Sequence, residues 1–471
     1  MRKILAIEGD VLRPGDAGYE EARAVWNGRF DKRPAMIARC RVAADVSAAV
    51  DFAREHELLL AVRSTGHDYA GNSSCAGGLV IDLSLMDAVR IDAERKAAVV
   101  QAGVTWAALD REAQVFGLAT TGPTVSTVGV AGSTLGGGVG HLSRKHGLGV
   151  DNLVSAEIVT ADGRLVRASD DENPDLVWAL RGGGGNFGVV TSVEFQLHEV
   201  GPEVVTAQVF YPFAHARHVF RGFREFMAAA PDEIMCFAMV LRVPPAEPFP
   251  EEYHGKPAVA LIACHCGPTA EGEAALRPLQ EFGEPMLAVV QPIPYTALQQ
   301  TFDAGMPKGL RWYSRSHDLK ELSDGVIDMM IEYTEALPGQ FTLAYFTPMG
   351  GAIGRVDPTA TAFAHRHAPY SLHIFPGWSD PAEDQELMGW TRAFHDAMTP
   401  YATGGVYVNL LGEDEADRAP AAYGENYERL AQLKARWDPN NLFQGNHNIR
   451  PARPGGDHEA RGARDPSVRG G

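Results

Sequence analysis

The sequence is poor in cysteine and in basic residues, and it has no long apolar run. Its five cysteines lack the paired spacing of a disulfide framework, which predicts a reducing, cytoplasmic compartment. The 42 lysines and arginines stand against 60 aspartates and glutamates, and the net charge of −18 argues against a nucleic-acid-binding surface. No apolar stretch approaches the roughly 20 residues that span a bilayer, and the N-terminal run reaches Glu8 and Asp10 too early for a secretory signal. We therefore expect no membrane and no nucleic-acid partner.

One cluster of possible metal ligands has a simpler explanation. Cys264, His265 and Cys266 follow the apolar run at 258–263. We interpret them as alternate residues of one strand rather than as ligands, because an apolar run of this length is typical of a buried strand. We predict no metal site.

Glycine, in contrast, is abundant: the chain of 471 residues contains 50. One glycine-containing turn, RSTGHDYAG at 63–71, lies between strand-like runs at 58–62 and 79–83. Small residues at a strand end let backbone N–H groups converge on an anion such as a pyrophosphate. His67, at the rim of this turn, is placed to meet whatever ring that pyrophosphate carries.

Two further segments are rich in glycine. The first, at 122–152, contains nine glycines and shows no continuous helical or strand period, yet it keeps apolar residues such as Val125, Leu135 and Leu142. Flexible linkers are polar, so we predict a buried, ordered loop in which backbone approaches a ligand or another backbone closely. The second, at 181–188, runs straight into an alternating strand at 192–197.

These segments resemble the FAD-linked oxidases of the berberine-bridge-enzyme type, in the vanillyl-alcohol-oxidase/PCMH flavoprotein superfamily. The resemblance covers about residues 33–452 and rests on six motifs in the order of that family. They are PAMIARC at 34–40, the RSTGH turn at 63–67, VGVAGSTLGGGVGHLSRKHGLGVDN at 128–152, GGGNFG at 183–188, YVN at 407–409 and WDPNNLFQGNHNI at 437–449.

The resemblance implies an α+β fold with two main domains. Residues 1–205 would form a PCMH-type FAD-binding domain of two α+β subdomains. Residues 206–400 would form a substrate-binding domain, with a broad antiparallel sheet covered by helices. Residues 401–452 would return to the FAD domain. The tail at 453–471 has almost no apolar content, which predicts disorder.

Local patterns predict several elements of that fold. Apolar spacing predicts one helix behind an N-cap at Asp45, and another after Thr105 whose apolar face extends to Phe116. Asp162-Gly163 predicts a hairpin, and Asn173-Pro174 a helix start. In the second part we predict strands at 235–243, 258–266 and 340–347 and helices near 215–229, 271–282 and 320–336. A last helix at 423–437 should stop before Pro439.

The resemblance also implies how FAD is held. In the family, the histidine that matches His67 is linked covalently to the 8α position of the flavin. Val125 stands where many relatives carry a second linking cysteine, so a single link is expected, and Cys75 is interpreted as structural. The implied pyrophosphate cradle is the backbone of Arg63, Ser64, Thr65 and Gly66. Further implied FAD contacts are Gly132, Ser133, Gly137, Gly138, Gly140, Asn186, Gly188, Val190, Asn446 and Asn448.

Oxidation of an alcohol or amine carbon needs a hydride acceptor, flavin N5, and a base. A tyrosine can be that base when a cation or a hydrogen-bond donor lowers its pKa below about 10. Tyr407 matches the active-site tyrosine of the family and is the first candidate. Tyr69 matches a position that often contacts substrate, and Asn409 would orient the flavin or Tyr407. His141 departs from the aromatic residue common in relatives, and its role stays open.

Three functions are compatible with these residues. The favoured one is an FAD-dependent oxidase of a small molecule, with O2 as the electron acceptor. Its substrate would be an aromatic or other small secondary metabolite, or alternatively an oligosaccharide. A nicotinamide-dependent dehydrogenase is disfavoured because no glycine fingerprint lies in a strand–turn–helix unit followed by an acidic residue. A non-catalytic flavin carrier is the third alternative.

Overall fold

The computed structural model describes residues 7–453, so residues 454–471 of the predicted disordered tail lie outside the described residues. The first part of the chain alternates strands with helices. They are β1 (Asp10–Leu12), α1 (Tyr19–Arg23), β2 (Met36–Arg39), α2 (Ala43–Glu55), β3 (Leu60–Arg63), β4 (Leu79–Asp82), β5 (Val89–Asp92), β6 (Ala97–Gln101), α3 (Trp106–Gln114), β7 (Leu118–Ala119), α4 (Val130–Leu135), α5 (Ser143–His146), β8 (Leu153–Val159), β9 (Leu165–Ser169), α6 (Pro174–Leu180), β10 (Val189–Gln196) and β11 (His198–Glu199).

Two sheets organise this part. The first has the order β1-β2-β4-β3, with β2, β4 and β3 parallel and β1 antiparallel at one edge. The second has the order β5-β6-β10-β8-β9 and is antiparallel throughout. Each sheet centres on a buried apolar cluster, and α2 packs between the two sheets, against β4 of the first and β8 and β10 of the second. This is the arrangement of two α+β subdomains that the resemblance implies.

Several local predictions for this part are confirmed. The Thr105 side chain accepts a hydrogen bond from the Ala108 N–H and caps α3, which satisfies one of the free N–H groups of the first turn. The hairpin turn between β8 and β9 contains Gly163 at φ +81°, a conformation that glycine adopts without strain. The helix predicted to start at Asn173-Pro174 is α6.

Other local predictions are wrong in detail. Asp45 is not the N-cap of α2, which begins at Ala43; its carboxylate instead accepts hydrogen bonds from the N–H groups of Glu8, Gly9 and Arg41. Phe116 lies beyond α3 and is 52% exposed, because that helix ends two residues earlier than its apolar spacing suggests.

The second part is dominated by one large sheet. Its elements are β12 (Glu203–Pro212), α7 (Ala216–Ala229), β13 (Ile234–Arg242), β14 (Pro257–His265), α8 (Thr269–Leu276), β15 (Leu287–Pro294), α9 (Tyr295–Leu298), β16 (Arg311–Trp312), β17 (Arg315–Leu319), α10 (Asp324–Thr334), β18 (Leu343–Pro348), α11 (Ala352–Arg355), β19 (Tyr370–Phe375), β20 (Gly377–Trp378) and α12 (Asp384–Met398). The three predicted strands correspond to β13, β14 and β18. The predicted helices correspond to α7, α8 and α10, although α8 ends at Leu276 and α10 starts only at Asp324, where Ser323 caps it.

The large sheet has the antiparallel order β15-β12-β14-β13-β18-β19-β17. Apolar side chains of α7, α10 and α12 cover one of its faces and form a continuous core with the strands. Its other face is turned toward the first part of the chain and carries a separate cluster that includes Phe210, Phe237 and Ile262. The fold class is therefore confirmed. The boundary predicted between residues 205 and 206 falls inside β12, so the division into domains stays a prediction.

The last part of the chain contains α13 (Ala419–Tyr423) and α14 (Tyr427–Trp437). The predicted helix start at 423 is wrong, because a 3-10 turn at 424–426 separates two helices; the predicted stop before Pro439 is confirmed. Helix α14 packs against α6 of the first part. Among the residues that the structure describes, no helix has both the length and the apolar character needed to cross a membrane.

Candidate active site

The loop that carries His67 leaves the parallel strand pair β3–β4. Arg63, the last residue of β3, forms a buried ion pair of 2.6 Å with Asp82, the last residue of β4, which holds the two strand ends together. The Ser64 hydroxyl donates to the carbonyl of Ala102 at 2.5 Å. Gly66 has φ +77° and makes the turn that places His67 beyond the sheet edge.

The His67 side chain is oriented by packing. Its ring stacks on Trp26 at a centroid distance of 4.0 Å and an interplanar angle of 18°. Its Nε2 is buried and has no hydrogen-bond partner within residues 7–453. Burial lowers the pKa of His67 to about 3, because a charged imidazolium is disfavoured away from water. The lowered pKa favours the neutral imidazole, which is the form that can act as a nucleophile.

The glycine-rich segment 122–152 is ordered and largely buried, as predicted, but it is not a plain loop, because it contains α4 and α5. Its glycines permit close approach of other groups. A Cβ atom on Gly136 would collide with the Asn409 side chain, and one on Gly140 would collide with the Gly122 carbonyl. Gly129 faces the Ser64 hydroxyl, which a Cβ atom would approach to 2.5 Å.

The third glycine cluster meets the C-terminal segment. The Asn186 side chain donates to the Gly183 carbonyl at 2.9 Å and accepts from the Ile449 N–H at 2.9 Å. Asn446 donates to the Gly185 carbonyl at 3.2 Å. The motifs at 183–188 and 437–449, far apart in the sequence, thus form one structural unit.

Between the two parts of the chain lies a cavity of about 1100 Å³. It is larger than the roughly 300–1000 Å³ typical of a single small-molecule site, so it has room for a cofactor together with a substrate. The predicted site residues that line it are Ser64, Thr65, Gly66, His67, Tyr69, Gly132, Ser133, Asn186, Gly188, Val190, Tyr407, Asn409 and Asn446.

Five predicted residues do not line the cavity. Arg63 is engaged with Asp82, Gly140 packs against backbone, and Gly137 and Gly138 lie behind Tyr407. Asn448 is also absent from the lining, although its Oδ1 is buried without a partner in the described part of the chain. These five therefore shape the walls rather than form the cavity surface.

Tyr407 is held by two hydrogen-bond donors. Its hydroxyl oxygen accepts from the Gly138 N–H and from Asn409 Nδ2, both at 2.9 Å, and Asn409 Nδ2 also donates to the Ser133 carbonyl at 2.9 Å. Burial raises the pKa of Tyr407, and these donors lower it by a smaller amount. The sequence analysis expected a tyrosine base to have a lowered pKa. The hydrogen-bond donors that would lower it are present, but burial raises the pKa of Tyr407 by more than they lower it.

Comparison with known proteins identifies the family. Residues 34–169 match the family described as FAD binding domain, and residues 406–450 match the family described as Berberine and berberine like. An FAD-linked oxidoreductase of Dictyostelium discoideum is 32% identical over 452 residues, which cover 95% of this chain and 95% of that protein. The chain belongs to the berberine-like FAD-linked oxidoreductases.

Two further comparisons agree with this family. (R)-6-hydroxynicotine oxidase of Paenarthrobacter nicotinovorans is 32% identical over 466 residues, which cover 95% of this chain and 98% of that protein. The crystal structure of 6-hydroxy-D-nicotine oxidase from Arthrobacter nicotinovorans has a TM-score of 0.87 at 28% identity and covers 96% of this chain and 100% of that one. The predictions of an enzyme and of FAD as its cofactor are confirmed; the nicotinamide and non-catalytic alternatives are wrong.

The residues of this FAD-linked oxidoreductase fit its cofactor. The space beside Gly132 and Gly185 is open, since a Cβ atom on either would meet no atom within 4 Å. The wall also carries polar atoms that are buried without partners in the described part of the chain, namely His67 Nε2 and Asn446 Oδ1. Buried polar atoms are normally satisfied, so these two indicate where a polar ligand completes the site.

The oxidoreductase has a second set of cavity residues that sequence reasoning missed. Six aromatic side chains on the large sheet and its neighbouring loop form what we call the aromatic wall: Phe210, Phe237, Phe302, Tyr345, His373 and Phe375. Tyr345 and His373 stack in parallel at 4.6 Å, and Tyr69 stacks on Phe375 at 5.0 Å. Burial raises the pKa of both tyrosines and lowers that of His373 to about 3. The alternation of side chains along β13, β18 and β19 was the sequence signal for these residues. Alternation separates the two faces of a sheet, but it does not show which face meets the cofactor.

The structure also gives a position for His141. Its ring packs edge-on against Phe237 at 5.5 Å and lies nearly parallel to Phe302 at 6.2 Å. It is 2% exposed and is not part of the cavity lining, so it supports the aromatic wall from behind.

Proposed function

We propose that this FAD-linked oxidoreductase oxidises an alcohol or amine carbon of a small, uncharged, aromatic molecule, with O2 as the final electron acceptor. The observation that carries the proposal is the aromatic wall, which lines the cavity and meets the His67–Tyr69 loop where Tyr69 stacks on Phe375. Aromatic side chains bind planar apolar ligands through burial and stacking. A secondary metabolite of aromatic type suits this surface.

The charges of the lining support an uncharged substrate. Among the described residues that line the cavity, the only charged side chains are Asp68 and Arg242. The Asp68 carboxylate accepts from the N–H groups of Ala70 and Ser73. The Arg242 guanidinium donates to three backbone carbonyls, including that of Gly255 at 2.7 Å. Both groups therefore already make hydrogen bonds within the protein, which leaves less of their hydrogen-bonding capacity for a charged substrate.

An oligosaccharide is a weaker match to the same surface. A sugar ring requires many hydrogen-bonding side chains, since each hydroxyl that is buried without a partner costs free energy. Besides Arg242, the strands of the large sheet contribute Gln208, Tyr345, Thr347 and His373 to the lining, among mostly apolar neighbours. These few groups suit a substrate with one or two polar atoms.

The proposed chemistry assigns a role to four of the predicted site residues in the cavity. FAD, when bound, supplies the acceptor of the hydride. We assign its single covalent anchor to His67, while Val125, at the position of the second cysteine of relatives, lines the cavity without a reactive group. Tyr407 takes the proton from the substrate hydroxyl or amine, and the Gly138 N–H and Asn409 stabilise the charge that develops on its oxygen. Tyr69 holds the substrate from the side of the His67 loop.

A cytoplasmic location is part of the same proposal. The five cysteines are buried and unpaired in the structure, as expected for a protein of a reducing compartment.

Anaerobic mixing tests the proposed reaction. The purified yellow protein is mixed with aromatic alcohols, aromatic amines and oligosaccharides, and bleaching of the flavin absorbance is followed. We expect bleaching by members of the aromatic sets, with recovery of colour and formation of hydrogen peroxide on admission of air. Faster bleaching by oligosaccharides would contradict the substrate class, and bleaching without recovery in air would contradict O2 as acceptor.

A further inference from the structure

The segment around Trp26 joins the His67 loop to the second part of the chain, and it precedes the family match, which begins at residue 34. Trp26 is 4% exposed although it lies in no helix or strand. Its ring stacks on His67 at 4.0 Å and on Trp312 at 5.3 Å, with interplanar angles of 18° and 9°. Its edge also meets the Tyr69 ring at 5.3 Å.

Hydrogen bonds fix the position of Trp26. Its backbone N–H donates to the Gly66 carbonyl at 3.0 Å, next to His67, and its carbonyl accepts from the Gly309 N–H at 2.9 Å. Its indole Nε1 donates to the Met306 carbonyl at 3.2 Å. The ring is therefore held by both parts of the protein, and its orientation does not depend on a ligand.

The neighbouring residue, Asn27, strengthens this connection. It is fully buried, and its Nδ2 donates to the carbonyls of Tyr69 at 3.0 Å and Trp312 at 2.9 Å. Its Oδ1 accepts from the Trp312 N–H at 2.9 Å. The Asn27 side chain thus fastens the His67–Tyr69 loop to the segment that carries Trp312.

We propose that Trp26 is a positioning residue for the covalent attachment of FAD through His67. This inference rests on the proposed link at His67. A hydrogen bond to a ring nitrogen would orient the imidazole but would occupy an atom that could react. Stacking instead fixes the plane of the imidazole without using a ring nitrogen, and His67 Nε2 has no hydrogen-bond partner within residues 7–453.

The attachment itself balances with O2 as oxidant. One bond forms between a ring nitrogen of His67 and the 8α carbon. The C–H bond at that carbon and the N–H bond of the imidazole break. The two hydrogens leave as two protons and two electrons, which reduce O2 to hydrogen peroxide. Trp26 takes no part in these bond changes; it determines how often the ring lies in the reactive plane.

The test compares variants of Trp26 with matched variants of a second tryptophan. Trp178 is 6% exposed, donates its Nε1 to the Thr359 carbonyl at 2.8 Å and does not line the cavity. The parent protein, W26L, W26F, W178L and W178F are purified with their flavin. The share of flavin that stays with the acid-precipitated polypeptide, the total bound flavin and the melting temperature are measured.

We expect the parent to retain its flavin after precipitation. A misplacement of about 1 Å can slow a reaction by about 100-fold, so the covalent share in W26L should fall by at least about tenfold. W26F keeps a ring for stacking and should restore most of that share. W178L should lower the melting temperature without changing the covalent share.

The outcomes separate this inference from the proposed link. A parent whose flavin is fully released by acid overturns the link at His67 and the role of Trp26 with it. A W26L protein with the covalent share of the parent, or a W178L protein with the same loss as W26L, overturns the role of Trp26 alone. Should W26L not fold, W26Q decides in its place, because glutamine keeps an N–H donor for the Met306 carbonyl but has no ring.

Discussion

The backbone N–H of Gly138 donates a hydrogen bond of 2.9 Å to the hydroxyl oxygen of Tyr407, 269 residues further along the chain. The approach is possible because the preceding residue, Gly137, has no side chain: a Cβ atom there would lie 2.7 Å from the Tyr407 ring. The glycine-rich segment thus contributes a backbone donor to the candidate base. The glycine at 137 is explained by the Tyr407 ring. The glycine at 138 is explained by its φ of +77° and by the Gly149 backbone, which a Cβ atom would approach to 3.0 Å.

Replacement of Tyr407 by phenylalanine should slow the reduction of the flavin by substrate by about 100-fold or more, the usual range for loss of a general base. The flavin content should not change, since Tyr407 anchors none of it in our proposal. Stopped-flow absorbance under anaerobic conditions measures the rate. Tyr211→Phe is the control, because it loses a buried hydroxyl bonded to the Leu279 carbonyl at a site outside the cavity. Equal rates in Tyr407→Phe and the parent would contradict the assignment.

The pH dependence of the same rate reports on the state of Tyr407. Burial raises the pKa of this tyrosine above its ordinary value of 10, so the phenolate is a small fraction at neutral pH and grows as pH rises. If the phenolate is the base, the rate of flavin reduction should increase with pH, by up to about tenfold per unit below that pKa. Tyr407→Phe should abolish the increase. A rate that is flat from neutral to alkaline pH in the parent would exclude phenolate catalysis.

Replacement of His67 by alanine should release the flavin on denaturation. The variant should still bind some FAD, because the cavity walls remain, but acid precipitation should leave the polypeptide colourless. Flavin fluorescence of the polypeptide in a denaturing gel measures this. The exposed His56→Ala variant, whose ring does not line the cavity, should keep its flavin. Colour that stays with His67→Ala would assign the link to another residue.

The fold class and much of the cavity could be predicted because the chain resembles a known family through motifs that are local in sequence. That resemblance implied the site residues, and 13 of the 18 line the cavity. Strands such as β13 and β14 were visible as apolar runs bounded by turn residues. Here one window of sequence contains all the information that fixes the element.

The features that the sequence did not predict depend on contacts between segments that are far apart in the sequence. Asp45 looked like an N-cap because of its place before an apolar face, yet its carboxylate binds the N–H groups of Glu8 and Gly9, which belong to another strand region. The aromatic wall required knowledge of which sheet face meets the cofactor, and Trp26 required knowledge that residue 312 lies beside it. Neither relation leaves a periodic signal in the sequence.

Buried histidines should make the protein sensitive to acid. Burial lowers the pKa of His141 and of His373 to about 3, below the ordinary value of 6.5 for the unfolded chain. Between these values the unfolded state binds more protons, so the free energy of unfolding should fall as pH drops from about 6.5 toward 3, by up to about 1.4 kcal/mol per pH unit for each such histidine. His141→Leu should reduce this slope by about one proton, as measured by urea unfolding at several pH values. An unchanged slope, equal to that of an exposed His56→Leu control, would contradict it.

Loss of Lys434 should weaken both the fold and the flavin site. This lysine is fully buried, and its Nζ donates to Asp438 at 2.7 Å and to the carbonyls of Asn186 at 2.6 Å and Phe443 at 2.9 Å. It therefore holds together the two segments that reach the cavity at Asn186 and Asn446. Lys434→Met leaves the Asp438 carboxylate buried without its cation, and should lower the free energy of unfolding by about 3–5 kcal/mol.

Asp438→Asn in the Lys434→Met background distinguishes two effects of Lys434: neutralising the Asp438 charge, and holding the two segments in place by hydrogen bonds. The double variant removes the unpaired charge, so it should recover part of the lost stability in urea unfolding. It should not recover flavin retention, measured as bound FAD per polypeptide after gel filtration, because the carbonyls of Asn186 and Phe443 still lack their common donor. Full recovery of flavin in the double variant would show that Lys434 acts only by neutralising Asp438, and that the two segments hold their positions without it.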